Sequence, residues 1–360
     1  MKTVAEFSIS HTQLLDADGA ATEELPAFAR DPEEVLRMYR LMTLVRIFDA
    51  KAINLQRTGQ LGTYAPCLGH EATHVGVGAA MRPEDVLAPV YREYGTQLWR
   101  GVSMREILVY WGGDERGSDF AGPRQDFAWC VPIATQTLHA AGAAMAFKIR
   151  GERRCALAYI GDGGTSEGAF YEALNLAGAR ALPVVFVIVN NGWAISVPVA
   201  AQTAAATLAQ KAVAAGIPGM QVDGNDVFAV RAVVGAALEA ARSGGGPSVV
   251  EALTYRLSDH TTADDAGRYR SAQEVKEAWA IEPLIRIRRF LTSAGIWDAA
   301  KEQALRHTCA REVEAAVGEY LAAPKPSSDA MFEHLFAEMP PHLREQRDVA
   351  RRYGAKSGRH

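Results

Sequence analysis

The sequence predicts an α/β fold with a doubly wound, mainly parallel sheet and a helical C-terminal extension. Short β-branched runs alternate with helical stretches rich in small residues between about residues 135 and 260. The predicted strands cover 156–160, 184–189 and 248–255, and the predicted helices cover 136–149, 166–180 and 227–242. Strand–helix–strand units of this length imply parallel strands with helices on both faces of the sheet.

The chain divides into an N-terminal arm (1–30), an α/β domain (31–322) and a linker with a C-terminal tail (323–360). A helix is expected to begin after Asp31, because an aspartate can cap it and Pro32 suits its first turn. Residues 272–322 have the amphipathic pattern of helices. Pro324 and Pro326, followed by two serines, indicate the linker.

Composition excludes several classes of protein. The net charge of −4 over 360 residues implies no surface for nucleic acid. The four cysteines have no CxxC spacing, so neither a metal site nor a redox pair is indicated. No run approaches the ~18 apolar residues of a membrane helix, and the N-terminus does not resemble a secretory signal. We therefore expect a cytoplasmic protein with no nucleic-acid or membrane partner.

The loop GDGGTSEG (161–168) carries the strongest chemical signal. A glycine loop that follows a buried strand and opens a helix lets backbone N–H groups approach a phosphate. The loop does not match GxGxxG, which disfavours a nicotinamide dinucleotide site. Asp162 would repel a diphosphate unless a cation lay between them. An oxygen-rich Mg²⁺ site supplies that cation.

A second ligand follows from the predicted topology. Asp162 follows the strand 156–160, and Asn191 follows the strand 184–189. Parallel strands joined by one helix end at the same edge of the sheet, and neighbouring strands lie roughly 5 Å apart. Asp162 and Asn191 can therefore share one ion. The backbone carbonyl of Trp193 is a plausible third oxygen ligand.

These motifs resemble a known family. GDG followed by NN around a strand–helix–strand unit resembles the thiamine-diphosphate motif. LGTYAPCLGHEATHVGVGAAM (61–81), YREYG (91–95), VDGNDVFAV (222–230) and TYRLSDHTTADDAGRYR (254–270) resemble the alpha chain of thiamine-diphosphate-dependent 2-oxo acid dehydrogenases. The resemblance extends from about residue 30 to 345. It implies the thiamine-diphosphate-binding fold, with thiamine diphosphate and Mg²⁺ as cofactors.

The resemblance also implies roles for individual residues. Tyr91 and Arg92 would bind the diphosphate, and backbone groups of Val131 and Ile133 would meet the aminopyrimidine ring. His260 would lie in a mobile loop that orders over the cofactor and would take part in catalysis, with a pKa near its ordinary value. The remaining cofactor-binding positions are Gly161, Asp162, Gly163, Gly164, Asn191 and Trp193. Serines in this loop are phosphorylated in animal relatives, and Thr261, Thr262 and Ser271 lie in that stretch here.

The resemblance further implies partners. A beta chain would supply the glutamate that activates the pyrimidine, in an assembly of two alpha and two beta chains, and the acyl group would pass to a lipoyl acyltransferase component. PIATQ and VDGNDVFAV lean toward branched-chain 2-oxo acid enzymes, whereas LGTYAP and TLAQKAVAAGIPGMQVDG lean toward bacterial pyruvate enzymes. We expect pyruvate, with a branched-chain 2-oxo acid as the alternative. A transketolase-like enzyme would need a second domain in this chain, and a non-catalytic assembly subunit would have lost Asp162 or Asn191.

Overall fold

The computed structural model describes residues 1–354. Within them, six parallel strands form the central sheet in the order β1-β7-β8-β4-β3-β2. A small antiparallel hairpin, β5–β6, lies beside it. The strands are β1 His11–Thr12, β2 Val86–Ala88, β3 Ala156–Gly161, β4 Val184–Asn190, β5 Trp193–Ala194, β6 Val197–Pro198, β7 Gly219–Asp223 and β8 Ser248–Leu253.

Helices connect and cover these strands. They are α1 Pro32–Arg57, α2 Glu71–Ala80, α3 Tyr94–Arg100, α4 Met104–Trp111, α5 Thr135–Arg150, α6 Gly168–Arg180, α7 Val199–Gln202, α8 Lys211–Ala214, α9 Val227–Arg242, α10 Ala272–Ala280, α11 Pro283–Ser293, α12 Ala299–Leu321, α13 Ala330–Glu333 and α14 Pro341–Gly354. The predicted cap of α1 is present, because the Asp31 side chain accepts a hydrogen bond from Glu33 N at 3.0 Å.

The side chains of β3 show why the sheet is covered on both faces. Leu157 and Tyr159 belong to the core formed with α1, α2 and α9, whereas Ala158 and Ile160 belong to the core formed with α5 and α6. Successive residues of a strand point to opposite faces, so a strand buried on both faces reads as a continuous apolar run. The doubly wound, parallel α/β prediction is confirmed.

Several boundaries differ from the predicted ones. The helix expected to begin at residue 166 begins at Gly168, because a 3-10 turn (Gly163–Ser166) comes first. The region 272–322, predicted to be helical, contains three helices, α10 to α12. Pro283 opens the second of these, and Asp298 caps the third. The strand expected at 248–255 ends at Leu253.

The N-terminal end of the chain packs on the central sheet. β1 adds an edge strand through the register His11↔Gln221, and the amides of Leu14 and Leu15 donate to the buried Asp226 carboxylate at 2.7 and 2.6 Å. The predicted tail contains α13 and α14, and its residues 355–360 lie outside the described part of the chain. The division into arm, domain and tail stays a prediction. Over residues 1–354, no helix has the length and apolarity needed to cross a membrane.

Candidate functional site

The two predicted metal-binding loops lie side by side. β3 and β4 are adjacent and parallel, and their last paired residues are Gly161 and Val189. Asp162 directly follows β3, and Asn191 directly follows β4. The predicted adjacency of these strand ends is therefore confirmed, and both side chains lie at the carboxyl edge of the sheet where ligands bind in open α/β folds.

A cavity of about 630 Å³ opens at this edge. It is within the range typical of small-molecule and cofactor sites. Every candidate site residue predicted from the sequence lines this cavity: Tyr91, Arg92, Val131, Ile133, Gly161, Asp162, Gly163, Gly164, Asn191, Trp193 and His260. The fold thus brings together residues that are far apart along the chain.

Asp162 is a buried carboxylate, one oxygen of which lacks a hydrogen-bond partner within residues 1–354. Its side chain is 3% exposed, and its Oδ2 atom has no hydrogen-bond partner among the described residues. Burial raises the pKa of Asp162 to about 6, against the weaker opposing effects of hydrogen bonds and the Arg256 guanidinium. An ionised carboxylate in this position is costly until a cation or proton compensates it. The site therefore fits a bound cation.

The neighbouring oxygen atoms suit the same cation. The amide of Trp193 donates to Asn191 Oδ1 at 3.2 Å, which orients the side-chain oxygen. The Trp193 carbonyl accepts a hydrogen bond from Arg256 Nη1 at 3.1 Å, which leaves one lone pair of that oxygen for a metal. Carboxylate, amide and carbonyl oxygens are hard ligands, which Mg²⁺ and Ca²⁺ prefer.

At two positions of the loop, only glycine fits without a steric clash. A Cβ atom at Gly163 would lie 2.4 Å from the Ala194 Cβ atom, and one at Gly164 would lie 2.6 Å from Ile160 Cγ1. At Gly161 no heavy atom lies within 4 Å of the corresponding position. The 3-10 turn is therefore packed tightly against its walls, and at Gly161 the backbone borders open space. A backbone of this kind can approach a phosphate closely.

Two buried arginines lie at the cavity: Arg92 lines it, and Arg256 contacts the lining residues Trp193 and His260. Arg92 and Arg256 are buried, the latter with 0% exposure. Neither forms an ion pair with a carboxylate within residues 1–354. Arg92 Nη2 donates to the His260 carbonyl at 3.1 Å, and Arg256 Nη2 donates to the Ile195 carbonyl at 2.7 Å. Two buried guanidinium groups without counter-ions favour an anionic ligand.

His260 lies between these guanidinium groups. Its Nδ1 atom is 3.3 Å from Arg92 Nη2 and 3.5 Å from Arg256 Nη1. Burial, followed by the charges of Arg92 and Arg256, lowers the pKa of His260 to about 3. The expectation of an ordinary pKa is therefore wrong, because the sequence does not reveal the two cations. Since only donors face Nδ1, the neutral ring carries its proton on Nε2 and can donate a hydrogen bond from that atom.

The loop that carries His260 is tied to the segment before α2. Thr262 N donates to the Tyr64 carbonyl at 2.8 Å, and Tyr64 N donates to Thr262 Oγ1 at 3.0 Å. The His260 amide donates to Asp264 Oδ2 at 2.8 Å. These hydrogen bonds hold the imidazole at the cavity. Apolar burial contributes little to the loop, because Leu257 and Ala266 are the only buried apolar residues between 256 and 270.

The rim of the cavity is apolar and exposed. Val131 is 51% exposed, Ile133 43%, Ile195 54% and Val197 43%. All four residues line the cavity. Large aliphatic side chains grouped around a cavity mouth are typical of a surface that another molecule covers.

Sequence reasoning missed two histidines. His70 and His74 line the cavity, and the ring nitrogens of both lack hydrogen-bond partners within the described part of the chain. Burial, and then the Arg92 guanidinium, lowers the pKa of His74 to about 3. The sequence HEATH, with two histidines one helical turn apart, was the available signal. It did not reveal that both rings face the cavity rather than the core.

The chain is similar to known proteins over most of its length. The model of the family described as "Dehydrogenase E1 component" matches residues 39–329. The chain is 43% identical, over 94% of its length and 93% of the relative's, to the 3-methyl-2-oxobutanoate dehydrogenase subunit alpha of Mycobacterium tuberculosis. It is 38% identical to the pyruvate dehydrogenase E1 component subunit alpha of Staphylococcus aureus, over 94% of the chain and 91% of the relative. The Staphylococcus epidermidis protein of the same name is also 38% identical, over 97% and 94%.

Proposed function

Because the chain belongs to the dehydrogenase E1 component family, we propose that it holds magnesium thiamine diphosphate for the oxidative decarboxylation of a 2-oxo acid. The observation that carries this proposal is the buried Asp162 carboxylate, whose Oδ2 atom has no partner within residues 1–354, in a cavity that Arg92 lines and Arg256 borders. A single anion would not satisfy both features, since it would repel Asp162. A metal ion bound to a diphosphate satisfies both.

Different residues of the cavity would bind the metal ion and the diphosphate. Asp162, the Asn191 side chain and the Trp193 carbonyl would hold the metal, while Arg92 and the loop amides would hold the diphosphate. Thiamine diphosphate, when bound, would supply a nucleophilic carbon for the 2-oxo group and an electron-accepting ring for the loss of CO₂. His260 would donate a hydrogen bond from Nε2 to an anionic oxygen, because its Nδ1 atom faces Arg92 and Arg256.

The cavity lacks a group that this chemistry requires. Glu93, Asp162 and Glu167 are the carboxylates that line it within residues 1–354. Glu93 Oε2 accepts the amides of Val90 and Arg92 at 2.9 and 3.1 Å, and Glu167 lies in the loop after Asp162. None of these three carboxylates is therefore free to activate the pyrimidine ring of the cofactor. We propose that a beta chain covers the apolar rim and supplies that carboxylate, in an assembly of two alpha and two beta chains.

Two substrates are candidates. Pyruvate is proposed first, supported by the staphylococcal relatives and by the LGTYAP and TLAQKAVAAGIPGMQVDG segments. The mycobacterial relative, with 43% identity, favours 3-methyl-2-oxobutanoate as the second candidate. The two acids differ by two methyl groups, which are worth only about 1–3 kcal/mol each in an apolar pocket. In either case the acyl group would pass to the lipoyl arm of an acyltransferase component.

The test is a steady-state assay of the alpha chain co-purified with its beta chain. Decarboxylation of pyruvate and of 3-methyl-2-oxobutanoate is measured with thiamine diphosphate, Mg²⁺ and an artificial electron acceptor. A higher kcat/KM for pyruvate would support the first candidate, and the reverse order would support the second. No turnover of either acid by the assembled pair, with the cofactor bound, would refute the proposed function.

A further inference from the structure

A buried lysine lies behind the loop that carries Asp162. Lys211, the first residue of α8, is 7% exposed. Its Nζ atom donates to the Thr165 carbonyl at 2.7 Å and to Thr165 Oγ1 at 2.9 Å. It also lies 5.3 Å from the centre of the Tyr171 ring. Within residues 1–354, no carboxylate forms an ion pair with it.

Thr165 links this lysine to Asp162. Thr165 is fully buried, its hydroxyl donates to the Asp162 carbonyl at 2.7 Å, and its amide donates to the same oxygen at 3.1 Å. The hydroxyl of Thr165 therefore accepts from Lys211 and donates to Asp162. This arrangement fixes the direction of both hydrogen bonds, because a hydroxyl has a single proton. The backbone of the 3-10 turn is thus held from its inner side by a cation.

Burying a cation without a counter-ion is energetically unfavourable. The desolvation of an ammonium group costs several kcal/mol, and a carbonyl, a hydroxyl and an aromatic ring offset only part of that cost. An apolar residue of similar length would pack in the same space without this cost. The turn that Lys211 holds is the turn that would receive an anionic diphosphate, whose charge would compensate the lysine.

We propose that Lys211 is a positioning residue of the cofactor site. Through Thr165 it holds the Asp162 turn in its binding geometry, and its charge favours the anionic cofactor. This inference rests on the proposed function. Lys211 lines no part of the cavity itself, so it acts through the loop rather than by contact with the cofactor.

The test measures cofactor affinity rather than activity alone. In the assembled enzyme, Lys211→Met should raise the Kd for thiamine diphosphate, at saturating Mg²⁺, by roughly 10- to 100-fold, the range that corresponds to losing a hydrogen bond from a charged donor. At saturating cofactor, kcat should change by less than about threefold, because Lys211 does not touch the reacting atoms. Lys211→Arg, which keeps the charge, should recover part of the affinity. Isothermal titration gives Kd directly.

Two further variants separate positioning from general stability. Thr165→Val removes the hydroxyl but keeps Lys211, so it should also weaken cofactor binding, and its effect should be less than additive with Lys211→Met. Lys301→Met is the matched control, because the Lys301 ammonium also donates to a backbone carbonyl, that of Ile296 at 2.7 Å, but is exposed and outside the cavity.

The outcomes distinguish the two proposals. If Lys211→Met lowers the melting temperature of the cofactor-free enzyme but leaves Kd unchanged, Lys211 is merely structural and the inference is overturned. If the methionine variant does not fold, an unchanged Kd in Thr165→Val overturns it equally, because Lys211 is proposed to act through Thr165. If the unaltered enzyme itself does not bind thiamine diphosphate with Mg²⁺, both the proposed function and this inference are refuted.

Discussion

Replacing Asp162 by asparagine should stabilise the cofactor-free enzyme and at the same time weaken its binding of magnesium thiamine diphosphate. Asparagine has nearly the shape of aspartate but no charge. The change therefore removes the buried carboxylate, whose Oδ2 atom has no partner within residues 1–354, without opening a cavity. Opposite effects on stability and on binding are expected of a group that is strained until its ligand arrives.

The size of the stability gain follows from the pKa. Burial raises the pKa of Asp162 from 3.8 to about 6. A shift of roughly two units corresponds to about 3 kcal/mol of unfavourable energy in the ionised form. This cost is fully present above the folded-state pKa and disappears below the unfolded-state value of about 4. Asp162→Asn should therefore raise the free energy of unfolding by up to about 3 kcal/mol at pH 8 and not at all below pH 4. The gain at pH 8 corresponds to about 4 °C in melting temperature for a unit of 360 residues, and to a smaller rise in the assembled enzyme, whose unfolding entropy includes the beta chain.

Calorimetry of the assembled enzyme at both pH values measures this gain, and isothermal titration measures cofactor affinity. Loss of groups that merely support a metal ligand costs about 10- to 100-fold in affinity, so loss of the ligand should cost at least about 100-fold. Asp119→Asn is the control, because the Asp119 side chain is 75% exposed and should show neither effect. An unchanged cofactor affinity in the Asp162 variant would refute the role of Asp162 as a metal ligand. A lower stability at pH 8 would refute the claim that the ionised carboxylate destabilises the cofactor-free enzyme.

Four further results are expected. Magnesium affinity should be constant above about pH 6 and fall roughly tenfold per pH unit below it, because Asp162 must lose its proton to bind the ion. Titrations that show no such pH dependence would contradict the raised pKa of Asp162. Gly163→Ala should weaken cofactor binding, since its Cβ atom would lie 2.4 Å from that of Ala194, whereas Gly142→Ala, with no atom within 4 Å, should not; equal affinities would exclude a tight turn. Amide hydrogen exchange over residues 256–272 should slow when magnesium thiamine diphosphate binds, because the loop buries little apolar surface, and equal protection in both states would mean a static loop. The alpha chain alone should not decarboxylate either 2-oxo acid, and turnover without any beta chain would refute a divided site.

Much of this site could be predicted from the sequence, because its chemistry is encoded locally. The loop 162–164 and Asn191 each directly follow an apolar strand. The period of a strand and the handedness of its connections then place both strand ends at one edge of the sheet. The same reasoning predicted the parallel sheet, whose strands are apolar on both faces. Local patterns of this kind need no knowledge of distant contacts.

Other features of the site depend on contacts between distant parts of the chain. The low pKa of His260 arises first from its burial and then from the charges of Arg92, 168 residues earlier, and Arg256. The positions of His70 and His74 depend on how α2 packs against α3 and α9. The hydrogen bonds from Lys211 to Thr165 join residues 46 positions apart. The sequence alone determined the fold class, the expected cofactor and the loops that would bind it. Only the tertiary structure decided which charges face one another, because burial and electrostatic interaction depend on distances in space rather than along the chain.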